Sequence, residues 1–276
     1  MKLRHTAAWV GFTAVTLLAA SACGTEGARS AAKAVSNGDK IMAALARATD
    51  RTEKVGSAQV RMVTNVGTGK PISMDGTYSW GHGYAFDVQM DTKAANMQSV
   101  QDDPTIRTLL VDGAYYYDVD PLPSGPYKGK EWMKVDSSAV LGEKGSQALR
   151  GDNGSPSASM KGLKYANDVE DLGSQTVNGQ RTTHYRAVID QAHMGKFKEA
   201  YGGKDSAVGS LTGGTTSITM DVWVGPKDLP VRLKEKFGAG TVTMDFDKFG
   251  DTATITAPPA SQTADVTELL KKQRQG

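Results

Sequence analysis

Cysteine is almost missing from this chain of 276 residues: there is one, Cys23. A single thiol excludes a disulfide framework and a thiolate metal cluster. Histidine is scarce as well, with His5, His82, His184 and His193 making the full set. No His-Glu-x-x-His occurs, and no histidine pair stands at metal-ligand spacing beside a carboxylate. Neither sign of charge dominates, since 32 basic residues face 30 acidic ones and Lys2 and Arg4 account for the difference. That balance gives no support to nucleic-acid binding. The longest apolar run, residues 7–20, is too short to cross a bilayer comfortably. Phenylalanine is sparse, six against 11 methionines, so the apolar filler is soft. What remains is ordinary globular composition, 39% hydrophobic and 22% charged, in a chain long enough to bury a real core.

The first residues have their own character. A basic start at Met1–His5 precedes the apolar run, and the small residues Ala20-Ser21-Ala22 lead into Cys23. This is the pattern of a secretory leader over residues 1–22. The junction resembles the lipobox of bacterial lipoproteins, with Ala20 where Leu is preferred three residues before the cysteine. The resemblance implies that the Cys23 thiol takes diacylglycerol and that further acylation, for example by palmitate, follows. Two or more acyl chains would hold the protein stably on the outer face of the cell membrane. The plainer alternative is an exported protein with a free thiol near its end. Residues 23–37 contain Gly, Ala, Ser and Thr with scattered charges and no apolar periodicity, and are expected to form a flexible tether. Such a tether spans about 20 Å on average. The domain proper is expected over residues 38–276.

Ile41, Met42, Leu45 and Ala48 recur at helical spacing behind the capping residues Ser36 and Asn37, predicting a helix that ends near Thr52. The period then changes to two. Strands are expected over 60–66, 72–80 and 84–90, a meander wet on one face. A hairpin about Asp112-Gly113, a loop over 121–129 with three prolines and a short strand over 131–135 follow. Helices are expected over 137–149 and again before Tyr165. The last third predicts strands over 164–168, 181–190, 217–224, 231–237 and 241–246, a helix over 191–201, and a final helix over 264–273. The Gly-rich stretch 202–214 is expected to be mobile. About ten strands and four or five helices, with no clean linker and no repeat, predict one α+β domain.

Catalytic patterns are wanting. No Gly-x-Ser-x-Gly elbow, P-loop or Gly-x-Gly-x-x-Gly fingerprint occurs, and Asp118-Val119-Asp120 starts like a calcium loop but runs into Pro121 and Pro123. The neighbours Asp102-Asp103 and Glu170-Asp171 would face opposite ways on a strand. The histidines read as ordinary turn and surface residues. No enzyme activity, cofactor or metal is indicated.

What stands out is the apolar face itself. Met62, Met74, Tyr78, Trp80, Tyr84, Phe86, Met90, Met220, Met244 and Phe246 fall at strand positions of one parity. Methionine adapts to irregular shapes and is over-used on promiscuous binding surfaces. These ten side chains are either the core beneath the helices or the lining of a cavity for an apolar ligand, if the sheet curls without filling its own interior.

A family resemblance bears on that choice. The segment Val177-Asn178-Gly179-Gln180-Arg181-Thr182-Thr183-His184-Tyr185, running on to Asp190, resembles a Val-x-Gly-x-x-Thr segment of the LppX/LprG lipoprotein family. Asp221-Val222-Trp223-Val224 through Leu229-Pro230-Val231-Arg232 is similar to that family's Asp-Val-Trp-Val hairpin. Here Gly225 replaces an Asp, and Asp228 stands where Gly is usual. Phe249-Gly250 through Ile255, Pro258 and Pro259 is similar to its strand exit, with the double proline ending the pairing. The resemblance implies a LolA-like fold, a curved, antiparallel, half-open β-barrel wrapped over helices. It further implies a non-catalytic carrier or binder of an acylated lipid or glycolipid in an apolar cavity. A second reading is a sensor lipoprotein that contacts another envelope protein without lipid transport, through loops such as 121–129 and 202–214.

Overall fold

A computed structural model of the protein describes residues 25–65, 70–150, 155–200 and 215–275. Cys23 with the leader 1–22, the turn 67–69, residues 151–154 and the Gly-rich stretch 202–214 lie outside the described residues.

In chain order the elements are α1 (Thr25–Val55), β1 (Ser57–Asn65), β2 (Ile72–Ser79), β3 (Ala85–Asp91), β4 (Thr105–Val111), β5 (Ala114–Asp118) and β6 (Trp132–Asp136). There follow α2 (Ser137–Arg150), α3 (Pro156–Lys161), β7 (Asp168–Val177), β8 (Gln180–Ile189) and α4 (Gln191–Ala200). The last are β9 (Ile218–Val224), β10 (Pro230–Phe237), β11 (Gly240–Asp247), β12 (Thr263–Asp265) and α5 (Thr267–Gln275). Among the described residues, those from Gly38 onward form one compact unit.

Ile41, Leu45, Ala48, Thr49 and Thr52 are the buried stripe of α1, spaced by three and four as an amphipathic helix requires. The two threonines are tolerated there because their hydroxyls donate to Leu45 O at 2.8 Å and Ala48 O at 2.7 Å. The helix runs back to Thr25, so residues 25–37, expected as a flexible tether, are helical. Ala, Arg, Lys and Glu in that stretch favour a helix even without an apolar stripe to announce one.

All twelve strands join one sheet in the order β12-β6-β5-β4-β3-β2-β1-β11-β10-β9-β8-β7. Two meanders, β1 to β6 and β7 to β11, therefore meet where β1 pairs with β11. The sheet is curved and does not close, leaving β12 and β7 as its edges. Its hairpin turns use the expected residues: Asp112 and Gly113 have φ of 53° and 73°, and Asn178 and Gly179 have 49° and 76°. Paired positive φ values match the right-handed twist of the strands they connect.

Three expectations are corrected. The sheet is mixed rather than purely antiparallel, because β12 lies parallel to β6. The strand expected over 164–168 is at Asp168–Val177, and residues 162–165 form a 3-10 turn. This edge strand is exposed along almost its whole length and is interrupted between Asp171 and Ser174, so it carries no buried alternation to read. Residues 251–259 are not a strand, and Ile255 instead packs on Leu109, Val111, Tyr116 and Trp132. The outer face of β4 to β6 is thereby covered.

Candidate functional site

Strand register aligns eight of the ten expected side chains, and Trp80 and Tyr84 flank the ends of β2 and β3. Met90 on β3 is opposite Met74 on β2, Met74 opposite Met62 on β1, and Met62 opposite Met244 on β11. Four methionines thus form one row across four strands, which Leu233 on β10 continues. A second row runs Tyr78, Phe86, Leu110 and Tyr115 across β2 to β5. Phe246 and Met220 belong to the same apolar cluster as these rows. The helices lie over this face: Ile41, Leu45 and Ala48 from α1, Met160 from α3 and Met194 from α4 all enter that cluster.

The face divides in two. Tyr78, Trp80, Phe86, Met220, Met244 and Phe246 are buried and serve as packed core. Met62, Met74, Met90 and Tyr84 are only half-buried. Ile72 and Val242, which the periodicity reading did not single out, are half-buried beside them and belong to a third row, Ile72–Thr64–Val242–Glu235–Met220.

An aromatic run crosses the packed half. Ring centroids of Tyr78 and Phe86 are 5.6 Å apart, Phe86 and Tyr115 6.2 Å, and Tyr115 and Tyr117 6.3 Å. Burial pushes all of these phenols, and that of Tyr84, above the ordinary tyrosine range. They are neutral hydroxyls at any physiological pH. Three buried polar atoms have no hydrogen-bond partner among the described residues: Tyr78 Oη, Thr108 Oγ1 and Glu235 Oε1. Register places all three on the helix-covered face. Glu235 was missed in the sequence, although the alternation Leu233, Glu235, Phe237 put it on the inward parity.

A cleft of about 860 Å³ lies where Tyr84 reaches one end of the sheet, with Lys54, His82, Asp112, Arg150 and Ile255 among its walls. Tyr84 belongs both to this cleft and to the apolar cluster. Its remaining lining mixes glycine backbone and Ser and Thr side chains with Val55, Ala85, Val111 and Ala253.

The histidines are placed unlike one another. His82 is exposed in its turn at the cleft, and His193 closes on Asp190 at the start of α4, Nδ1 to Oδ1 2.7 Å. His184 corrects the surface reading, being 5% exposed and stacked on Trp223 at 4.1 Å. Trp223 Nε1 donates to Gln175 Oε1 at 2.8 Å, which turns the Gln175 amide nitrogen toward His184 Nδ1 at 3.1 Å. His184 Nε2 then donates to Asp221 Oδ1 at 2.8 Å, and Arg186 Nε donates to the same oxygen at 2.9 Å. With both ring nitrogens engaged, His184 is a fixed strut of the outer face. Among the described residues no group of three His, Cys, Asp or Glu could hold a metal ion. No described helix is long and apolar enough to cross a membrane.

No family model matches the chain. Two Streptomyces proteins are related to it in sequence. One, from Streptomyces griseus and encoded between rplA and rplJ, is uncharacterized and 24% identical, with 84% of this chain and 81% of its own length aligned. The other, from Streptomyces coelicolor, is named as the lipoprotein SCO4650 and is 26% identical over 83% of this chain and 76% of its own length. Among solved structures, LprF of Mycobacterium bovis superimposes with a TM-score of 0.53 at 15% identity, covering 80% of this chain and 97% of LprF. The lipoprotein LppX of Mycobacterium tuberculosis gives 0.51 at 14% identity, covering 79% of this chain and 99% of LppX. The chain has the LolA-like fold of LppX and LprF. The open, curved sheet over helices is the architecture that the motifs around Gly179, Trp223 and Leu229 implied.

Proposed function

We propose that this chain is an extracytoplasmic lipoprotein, anchored to the cell membrane through Cys23, that binds an acylated lipid or glycolipid against the helix-covered face of its sheet and performs no catalysis on it. The observation that carries the reading is the methionine row, in which Met62 and Met74 are half-buried and pack against the core cluster, with half-buried Met90 in register beside Met74. Soft, unbranched side chains at the margin of a core can give way to an acyl chain with little strain. Trp80, Tyr84, Phe86, Tyr78, Met220, Met244 and Phe246 would form the remaining wall. The relative named a lipoprotein, the fold shared with LppX and the single cysteine directly after a small-residue junction support the anchor.

Native mass spectrometry with lipid extraction, on protein purified from a lipid-synthesising host of the same envelope type, tests the binding. A defined acylated species near one per protein is the expected result. Clean protein that also refuses added lipids would overturn it. For the anchor, Cys23→Ser should release the protein from membranes into the soluble fraction, and retention would contradict lipidation.

A second reading, contact with another envelope protein, is favoured by Leu122, which is 51% exposed in the loop 121–129. Crosslinking in intact cells from that loop would capture one defined partner if it holds.

A further inference from the structure

Among the described inward-facing side chains of β1, β2, β3, β9, β10 and β11, Glu235 is the one carboxyl. It sits between Leu233 and Phe237, which are buried, and its in-register neighbours are Met220 on β9 and Val242 on β11. Val242 continues into Thr64 and Ile72, the half-buried row beside the methionines. Glu235 therefore stands at the border between packed core and the open half of the face. Its Oε1 is buried and has no hydrogen-bond partner among the described residues.

Such a group is costly. A carboxyl taken out of water is stable only if it is neutral or well bonded. Burial raises this carboxyl above the ordinary glutamate range, and the Ser159 hydroxyl on α3 offsets part of that rise. A neutral carboxyl both donates and accepts, which is the complement of a hydroxyl group. A pure hydrocarbon would leave the oxygen unbonded, and a cationic partner would require the carboxyl to ionise among methionine, valine and phenylalanine.

We propose that Glu235 is the polar anchor point of the lipid site, and that the ligand seated on the methionine row carries a hydroxyl group that bonds to Glu235 Oε1. This rests on the reading that the face holds a lipid, and it narrows the ligand to hydroxylated acyl chains or partially acylated polyols. Ser159 is a positioning residue that holds the carboxyl toward the site.

Methyl ricinoleate and methyl oleate, which differ by one hydroxyl, separate the two ideas. Each is titrated into the full chain carrying Cys23→Ser, so that no anchor competes, with the complex read by native mass spectrometry. The hydroxylated ester should bind about fivefold more tightly, as one net hydrogen bond allows. Glu235→Leu should erase that preference. Glu235→Gln, which keeps the shape and can still bond a hydroxyl, should retain part of the preference, and it carries the test if the leucine variant does not melt cooperatively. Equal affinity of the unsubstituted carboxyl for both esters overturns the proposal and leaves lipid binding standing. Failure of both esters to bind overturns the lipid reading itself.

Discussion

The two faces of the sheet solve the problem of polar groups in opposite ways. On the outer face charges and amides are matched across strands. Arg61 meets Asp75 at 2.8 Å, Arg232 grips Asp245 at 2.6 and 2.9 Å, and Arg107 grips Asp87 at 2.9 and 2.7 Å. Asn178, at the tip of the β7–β8 hairpin, also donates to Asp245 at 3.0 Å. The His184–Asp221–Arg186 group is bonded throughout. On the helix-covered face the partners are methionines and aromatic rings, and Tyr78 Oη, Thr108 Oγ1 and Glu235 Oε1 are buried without hydrogen-bond partners among the described residues. Fully paired groups make a rigid outer shell, whereas adaptable side chains with unspent hydrogen bonds suit a surface that receives something else.

Substitutions that move a property from one face to the other should break this contrast. Asp221→Ala strips His184 and Arg186 of their shared acceptor and should cost about 3 kcal/mol in denaturant unfolding. Met74→Asp places a charge on the inward face and should cost about 2–3 kcal/mol. Its neighbour Asp75→Ala removes half of an exposed ion pair and should leave the melting temperature nearly unchanged. Equal effects at residues 74 and 75 would mean that the register is wrong. Tyr78→Phe removes a hydroxyl with no hydrogen-bond partner among the described residues and should be neutral or stabilising by about 1 kcal/mol.

The smallest expected effect is a pH dependence. The folded state holds the Glu235 proton more tightly than the unfolded chain does, because burial raises its carboxyl. Its contribution to stability is then complete below the unfolded value and declines as pH rises from about 4 toward the folded value. Thermal melting of Glu235→Gln should lack that decline, and parallel curves for the two proteins would contradict the assignment.

Much of this contrast was legible in the amino-acid sequence. Alternation over 72–80 and 84–90 placed Met74, Tyr78, Trp80, Phe86 and Met90 on one face, because each of those strands buries one side. Asn178-Gly179 and Asp112-Gly113 announced their turns through backbone preference alone. The edge strand β7 was misplaced since no buried side imposes a period on it, and the helical start of α1 lacked an apolar stripe. The covering of β4 to β6 by Ile255 arises from a contact more than a hundred residues away in sequence, which no local pattern records. His184 looked like a surface residue because its neighbours Thr183 and Arg186 are polar, while Trp223 and Asp221, which enclose it, arrive from another strand.

Photo-crosslinking with an acyl chain that carries a diazirine near its end, followed by peptide mapping, tests most directly where the ligand lies. Crosslinks to Met62, Met74, Met90 and Val242 are the expected result. Crosslinks confined to the outer face around Arg61, Arg232 and Trp223, or their absence despite stoichiometric bound lipid, would contradict the account.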